Sequence, residues 1–126
     1  MPGMILLIED DTAIRSFISD LLSEEGYLTY MAADGREALS YLHASDDLPD
    51  LILLDLCMPR MDGASFRAAQ QSFARLAAIP TVLLSTADDL SCRAAALKIP
   101  AYLEKPIELV QLLDVVERYC MQTQTA

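Results

Sequence analysis

Positive charge is scarce in this 126-residue sequence, which has nine lysines and arginines against nineteen aspartates and glutamates. The formal net charge of −10 argues against a broad electrostatic binding surface for DNA, RNA or anionic membranes. Long hydrophobic runs are also absent, because the longest, Met4 to Ile8, is far shorter than the ~20 residues of a membrane-spanning helix. We therefore expect no direct nucleic-acid or membrane partner.

Cysteine is rare as well, and the three residues Cys57, Cys92 and Cys120 lack the spacing of a metal site. An odd number of cysteines is more typical of a reducing compartment than of a disulfide-stabilised fold. The first residues do not show the basic and apolar segments of a secretory signal. These features predict a cytoplasmic location.

What the sequence does have is a hydrophobic fraction of 53% with only 22% charged residues, which excludes intrinsic disorder. Short apolar runs alternate with longer segments of helical periodicity. The predicted strands are Met4–Ile8, Tyr27–Ala32, Leu51–Leu54, Thr81–Leu84 and Ala101–Glu104. The predicted helices run from Thr12 to the stop at Gly26, Gly35–Ser45, Ser65–Ala77, Asp89–Leu97 and Ile107–Met121.

Five strands that are each followed by a helix predict an α/β fold, a doubly wound parallel sheet with helices on both faces. The helical periodicity places Phe17 and Phe73 on inward faces. One domain covers residues 4–121, and residues 122–126 are expected to form a polar C-terminal tail.

Polar and charged residues follow several of these strands at the point where each strand ends. In an open parallel sheet, ligands bind beyond the carboxyl ends of the strands. The residues that would meet there are Glu9, Asp10, Asp11, Asp55, Ser85, Thr86 and Lys105. Solvation of an acidic loop could account for the Glu9–Asp11 run, but not for an aspartate directly after four apolar strand residues.

Carboxylates held a few ångströms apart repel one another unless a cation lies among them. Oxygen ligands without histidine or cysteine at metal-binding spacing select a hard ion. The sequence therefore predicts a Mg²⁺ or Mn²⁺ site at this edge of the sheet.

Four segments at these strand ends resemble the motifs of the receiver domain of two-component response regulators. They are Ile8–Asp11, Asp55–Gly63, Ser85–Ala87 and Lys105–Pro106, and the resemblance extends over about Met4 to Cys120. It implies a CheY-like (βα)5 fold with strand order 2-1-3-4-5. It also implies that the chain is a signalling module and not a metabolic enzyme. This module takes up a phosphoryl group and releases it slowly.

The resemblance assigns roles to individual residues. Asp55 corresponds to the phospho-acceptor, and Lys105 to the lysine that pairs with a phosphoryl oxygen. Asp10 and Asp55 would ligate the metal together with the backbone carbonyl of Cys57, and Glu9 would act mainly through metal-bound water.

The switch residues follow from the same resemblance. Counting five residues on from Pro80 selects Ser85 as the switch hydroxyl, and Thr86 is the alternative. Tyr102 occupies the position of the switch aromatic. The bond between Lys105 and Pro106 is expected to be cis.

The implied partners are a histidine kinase or phosphotransfer protein and a downstream effector protein. In the family, signals leave through the surface of the last two helices and the strand between them. The Ser85–Lys105 interval is about two residues shorter than usual and lacks the usual glycine before the fifth strand, which predicts a short or displaced fourth helix. Apolar residues on the last helix, Val110, Val115 and Val116, leave open a homodimer.

Two other function classes compete with the receiver interpretation. A phosphatase of the haloacid dehalogenase type needs a second aspartate two residues after the first, where this chain has Cys57. A flavodoxin-like electron carrier needs a loop that binds phosphate after the first strand, and the Glu9–Asp11 run would repel phosphate.

Two positions predict a long-lived phosphorylated state. Cys57 and Ala87, each two residues after a proposed site residue, flank the path of a hydrolytic water in the family. Neither side chain is an amide or carboxylate that could orient this water. We expect self-dephosphorylation to take minutes or longer. The measurement is the loss of the phosphoryl group over time in the presence of Mg²⁺, after phosphorylation with acetyl phosphate. A half-life of a few seconds would contradict the prediction.

Overall fold

The computed structural model of the chain describes residues 3–55, 63–85, 94–99 and 101–125. Five parallel strands form one sheet in the order β2-β1-β3-β4-β5. Their bounds are β1 Met4–Ile8, β2 Leu28–Ala32, β3 Leu51–Asp55, β4 Thr81–Ser85 and β5 Ala101–Glu104. The doubly wound α/β fold and its strand order are as predicted.

Helices cover both faces of this sheet. They are α1 Thr12–Glu24, α2 Gly35–Ala44, α3 Gly63–Gln71, α4 Ala74–Ala77 and α5 Leu109–Thr125. Helices α1 and α5 pack on one face, and α2, α3 and α4 pack on the other together with residues 94–99. Within the described ranges, no helix is long and apolar enough to cross a membrane.

The three central strands form the core because they are enclosed on both sides. All residues of β3 and β4 and all but the first of β1 are buried. Each fully buried leucine or isoleucine contributes about 1.5–3 kcal/mol relative to an exposed one. The edge strand β2 is mostly exposed, in keeping with its weaker apolar pattern.

Three details of the sequence prediction were wrong. The helix predicted over Ser65–Ala77 is broken after Gln71, so Phe73 lies at the break and is largely exposed. Phe17 also faces solvent, because α1 buries only a narrow stripe around Ile18 and Leu22. The last helix begins at Leu109 and continues past Met121 to Thr125, so most of the expected polar tail is helical. Of the helix predicted over Asp89–Leu97, residues 89–93 lie outside the described ranges and residues 94–96 are helical.

A buried arginine on α3 holds the segment before β5 in place. Arg67 Nε donates to the Leu97 carbonyl (3.0 Å) and Nη2 to the Lys98 carbonyl (2.6 Å). Its Nη1 also donates to the side chains of Gln70 and Thr81. Burial lowers the pKa of Arg67, so these acceptors stabilise a charge that has lost most of its hydration.

The chain leaves this helical turn at residues 94–96 through a left-handed residue. Lys98 has φ 59°, and its N–H donates to the Ala95 carbonyl while the Ile99 N–H donates to the Ala94 carbonyl. This pair of bonds is a Schellman motif, in which glycine is the preferred residue at the left-handed position. The missing glycine noted in the sequence is therefore replaced by a strained lysine.

Replacing this lysine by glycine should stabilise the fold. Because a Cβ atom is unfavourable at positive φ, we expect Lys98→Gly to raise the free energy of unfolding by about 0.5–1 kcal/mol in urea denaturation. Lys98→Ala is the matched control, since it removes the same charge but keeps the Cβ atom and should give no gain. Equal stabilisation by both variants would contradict the prediction.

Candidate functional site

Four strand ends converge on one cleft at the carboxyl edge of the sheet. The cleft has a volume of about 330 Å³ and is lined by Glu9, Asp10, Asp11, Ile14, Asp55, Ser85 and Lys105. Asp55 is the last residue of β3 and Ser85 the last of β4. Six of these seven residues are the polar and charged ones that the sequence predicted to meet here.

The centre of the cleft is a lysine that bridges two buried carboxylates. Lys105 Nζ lies 3.0 and 2.9 Å from the two carboxylate oxygens of Glu9 and 3.2 Å from Asp55 Oδ1. Glu9 is 1% exposed and Asp55 4% exposed. A buried pair of like charges needs such a partner, since each carboxylate would otherwise lose hydration without compensation.

Burial and the neighbouring charges in the cleft disfavour the ionised form of Asp55. Burial, followed by the negative charge of Glu9, raises the pKa of Asp55 to about 6, although Lys105 acts in the opposite direction. Burial alone would lower the pKa of the Lys105 ammonium, but its contacts with Glu9 and Asp55 outweigh burial and raise it. The Lys105 ammonium contacts both carboxylate oxygens of Glu9 but only one of Asp55. Asp55 is therefore the acid whose negative charge is less well neutralised.

The carboxylates form a donor set suited to a hard cation. One oxygen from each of Glu9, Asp10 and Asp55 lies within 4.8 Å of the others. Asp10 is exposed, whereas both oxygens of Glu9 are already engaged by Lys105. The residues therefore fit Mg²⁺ or Mn²⁺, with Asp10 and Asp55 more available as direct ligands than Glu9.

The remaining predicted residues are only partly described. Ser85 is buried and lines the cleft. Thr86 and Cys57 lie outside the described residues. The Thr86 hydroxyl as the alternative switch residue and the Cys57 backbone carbonyl as a metal ligand therefore stay predictions. The bond between Lys105 and Pro106 is cis, as expected. Tyr102 on β5 is 45% exposed.

The sequence missed one contact that shapes this cleft. Arg15 Nη1 donates to the backbone carbonyl of Glu9 at 2.9 Å and ties α1 to the end of β1. The Glu9 N–H donates to the Ala32 carbonyl, so the backbone of Glu9 is fixed from both sides. Asp11 caps α1 through the Ile14 N–H at 3.0 Å, as its position before the helix indicated. The position of Arg15, one helical turn after the acidic run, was the available signal.

The raised pKa of Asp55 predicts a pH-dependent gain in stability for Asp55→Asn. The folded state holds a proton on Asp55 up to about pH 6, whereas the ordinary carboxyl value is 3.8. Ionised Asp55 therefore destabilises the fold progressively as pH rises through this window, by roughly 3 kcal/mol at about 1.4 kcal/mol per pKa unit.

We expect Asp55→Asn to match the wild type near pH 4 and to exceed it in free energy of unfolding above pH 6, measured by urea denaturation without divalent cations. Asp20→Asn, on the exposed side of α1, is the matched control and should leave the pH dependence unchanged. A pH profile of Asp55→Asn parallel to that of the wild type would overturn the prediction.

Comparison with known proteins places this chain in a family. The family model for the response regulator receiver domain matches residues 5–117. The response regulator MprA of Mycolicibacterium vanbaalenii is 39% identical over 115 residues, which are 90% of this chain and 48% of that protein. The chain thus spans about half the length of the curated MprA relatives that it matches.

Solved structures agree in fold. The chemotaxis protein CheY4 of Vibrio cholerae has a TM-score of 0.83 and 29% identity, and the match covers 94% of this chain and 99% of CheY4. The receiver domain of a histidine kinase from Syntrophus aciditrophicus has a TM-score of 0.87 and 31% identity, with 95% and 91% covered. The chain belongs to the family of response regulator receiver domains of two-component signalling.

Proposed function

We propose that this chain is a phosphorylation-activated switch whose phospho-acceptor is Asp55. The observation that carries the proposal is the position of the Asp55 carboxylate, at the end of a buried strand, in an open cleft, 3.2 Å from the Lys105 ammonium. Phosphoryl transfer needs mainly positioning and neutralisation of charge. An acid nucleophile with a neighbouring cation supplies both.

The transfer uses the carboxylate as nucleophile. An Asp55 oxygen attacks the phosphorus of a phosphohistidine in line, a P–O bond forms, and the P–N bond breaks. The imidazole leaves with the electron pair and takes up a proton. Because attack requires ionised Asp55, a cation beside this carboxyl would favour reaction by lowering its raised pKa.

Charge neutralisation falls to the residues around Asp55. Asp10, Asp55 and the backbone carbonyl of Cys57 would hold Mg²⁺. When bound, this ion would supply positive charge to the phosphoryl oxygens. Lys105 is within reach of any group attached to Asp55, and Glu9 keeps the ammonium in place and charged.

The phosphoryl group would be sensed at the end of β4. Ser85 faces the same cleft as Asp55, and β4 pairs with β5, where Leu83 lies beside Tyr102. A shift of Ser85 or Thr86 toward the phosphoryl oxygens would therefore move the strand that neighbours Tyr102. The output surface would be the side of β5 and α5 that contains Tyr102, Gln111 and Arg118.

A phosphodonor protein can approach the cleft from α1. An apolar recess of about 280 Å³ beside it is lined by Ile14, Phe17, Lys105, Pro106 and Ile107. Lys105 belongs to both the recess and the acidic cleft. We therefore place a histidine kinase or phosphotransfer protein on this recess, which accounts for the exposed Phe17.

Neither competing function gains support from the geometry. A flavodoxin-like electron carrier would have to bind a phosphate against Glu9, Asp10 and Asp55, which the cleft repels without a cation. The phosphatase would need an acid at Cys57, where the sequence has none.

Incubation with acetyl phosphate and Mg²⁺ tests the proposal. Intact-mass spectrometry should show one added phosphoryl group on the wild type and none on Asp55→Asn, because only the carboxylate can act as the nucleophile. Removal of Mg²⁺ with a chelator should abolish the gain on the wild type.

Asp11→Asn is the matched control, since it makes the same substitution in the same cleft and asparagine still caps α1. It should gain the phosphoryl group. A phosphoryl group on Asp55→Asn, or none on the wild type, would refute the proposed acceptor.

A further inference from the structure

The two edges of the sheet differ in how they are protected against pairing with another chain. β5 carries Glu104 and is flanked in sequence by Pro100 and Pro106. Charges and prolines are the usual devices that keep an edge strand from pairing. Residues 26–33, which include β2, contain no charge and no proline in a chain of net charge −10.

The exposed side chains of β2 are large and apolar. Leu28 is 58% exposed, Tyr30 41% and Met31 49%. Leu28 and Tyr30 project on the face of α2, where the Tyr30 ring lies 4.9 Å from that of Tyr41, and Met31 projects on the opposite face. Apolar surface therefore flanks this edge on both sides of the sheet.

The backbone of β2 has hydrogen-bonding groups that β1 does not use. The Leu28 N–H donates to the Gly3 carbonyl, and the Ala32 carbonyl accepts from the Glu9 N–H. Because such groups alternate along a strand, Leu28, Tyr30 and Ala32 face β1, and Thr29 and Met31 direct their N–H and C=O groups away from the sheet.

We propose that β2 is a self-association interface, where β2 of a second copy of this chain pairs antiparallel about a twofold axis through Tyr30. Thr29 and Met31 lie symmetrically on either side of Tyr30, so each Thr29 would stand opposite Met31 of the second copy. Residues opposite each other in a hydrogen-bonded antiparallel pair exchange two bonds. The dimer would thus use all four outward groups of these two residues in each copy, in one ten-stranded sheet.

The distribution of charge makes this edge the place where a second copy meets least repulsion. Two chains of −10 repel each other, and an uncharged strand is where they can approach at least cost. A five-residue strand buries less than the ~1,200 Å² of a standard interface, so we expect a weak, concentration-dependent dimer.

Sedimentation velocity from micromolar to millimolar concentration tests the proposal on the full chain. The wild type should shift from monomer toward dimer, and more so at high salt, which screens the repulsion. Met31→Pro removes only an outward N–H, and Met31→Lys adds a charge to the edge. Both should remain monomeric with an unchanged circular dichroism spectrum. Tyr102→Lys, on the other edge strand, is the matched control and should still dimerise.

Disulfide trapping tests the register, in a background with Cys57 and Cys92 replaced by serine. Tyr30→Cys lies on the proposed axis and should form a disulfide-linked dimer on oxidation. Leu28→Cys is more exposed but would face Ala32 of the second copy, so it should cross-link far less. A monomer at every concentration, loss of the dimer in Tyr102→Lys only, or equal cross-linking by both cysteines would overturn the proposal. None of these outcomes depends on Asp55, so they are independent of the proposed phosphorylation.

Discussion

The contact on which the site depends is that of the Lys105 ammonium with the buried carboxylates of Glu9 and Asp55. Two acids at adjacent strand ends repel each other, and this cation offsets part of the repulsion. The lysine comes from the end of β5, so the site exists only when the strand order 2-1-3-4-5 is complete. The fold and the candidate site are therefore coupled through the two ion pairs of one lysine.

The cleft retains an electrostatic imbalance at Asp55, whose carboxylate is only partly neutralised. Glu9 takes most of the Lys105 charge, and Asp55 is left with a pKa of about 6. A cation bound beside Asp55 would reduce that imbalance by neutralising carboxylate charge. The structure away from the cleft is more conventional, with the apolar strands β1, β3 and β4 buried on both faces.

Sequence reasoning predicted the sheet, the positions of all five strands and the convergence of Glu9, Asp10, Asp55, Ser85 and Lys105, since strand burial and the direction of parallel strands follow from local pattern. It failed for Phe17 and Phe73, because a periodic stripe does not reveal how wide the buried face of a helix is. It also missed the buried contacts of Arg67 with the backbone carbonyls of Leu97 and Lys98. These acceptors are distant in sequence, and because every residue has a backbone carbonyl, the residue type gives no signal for them.

The sequence by itself determined which chemical groups reach the carboxyl edge, because residue order within a βα unit dictates which residue follows each strand. The tertiary structure alone decided how those groups share charge: that Lys105 binds Glu9 with two contacts and Asp55 with one, and that Asp10 remains open to solvent. Distances and burial arise from packing between segments far apart in the chain, and a local pattern carries no information about either.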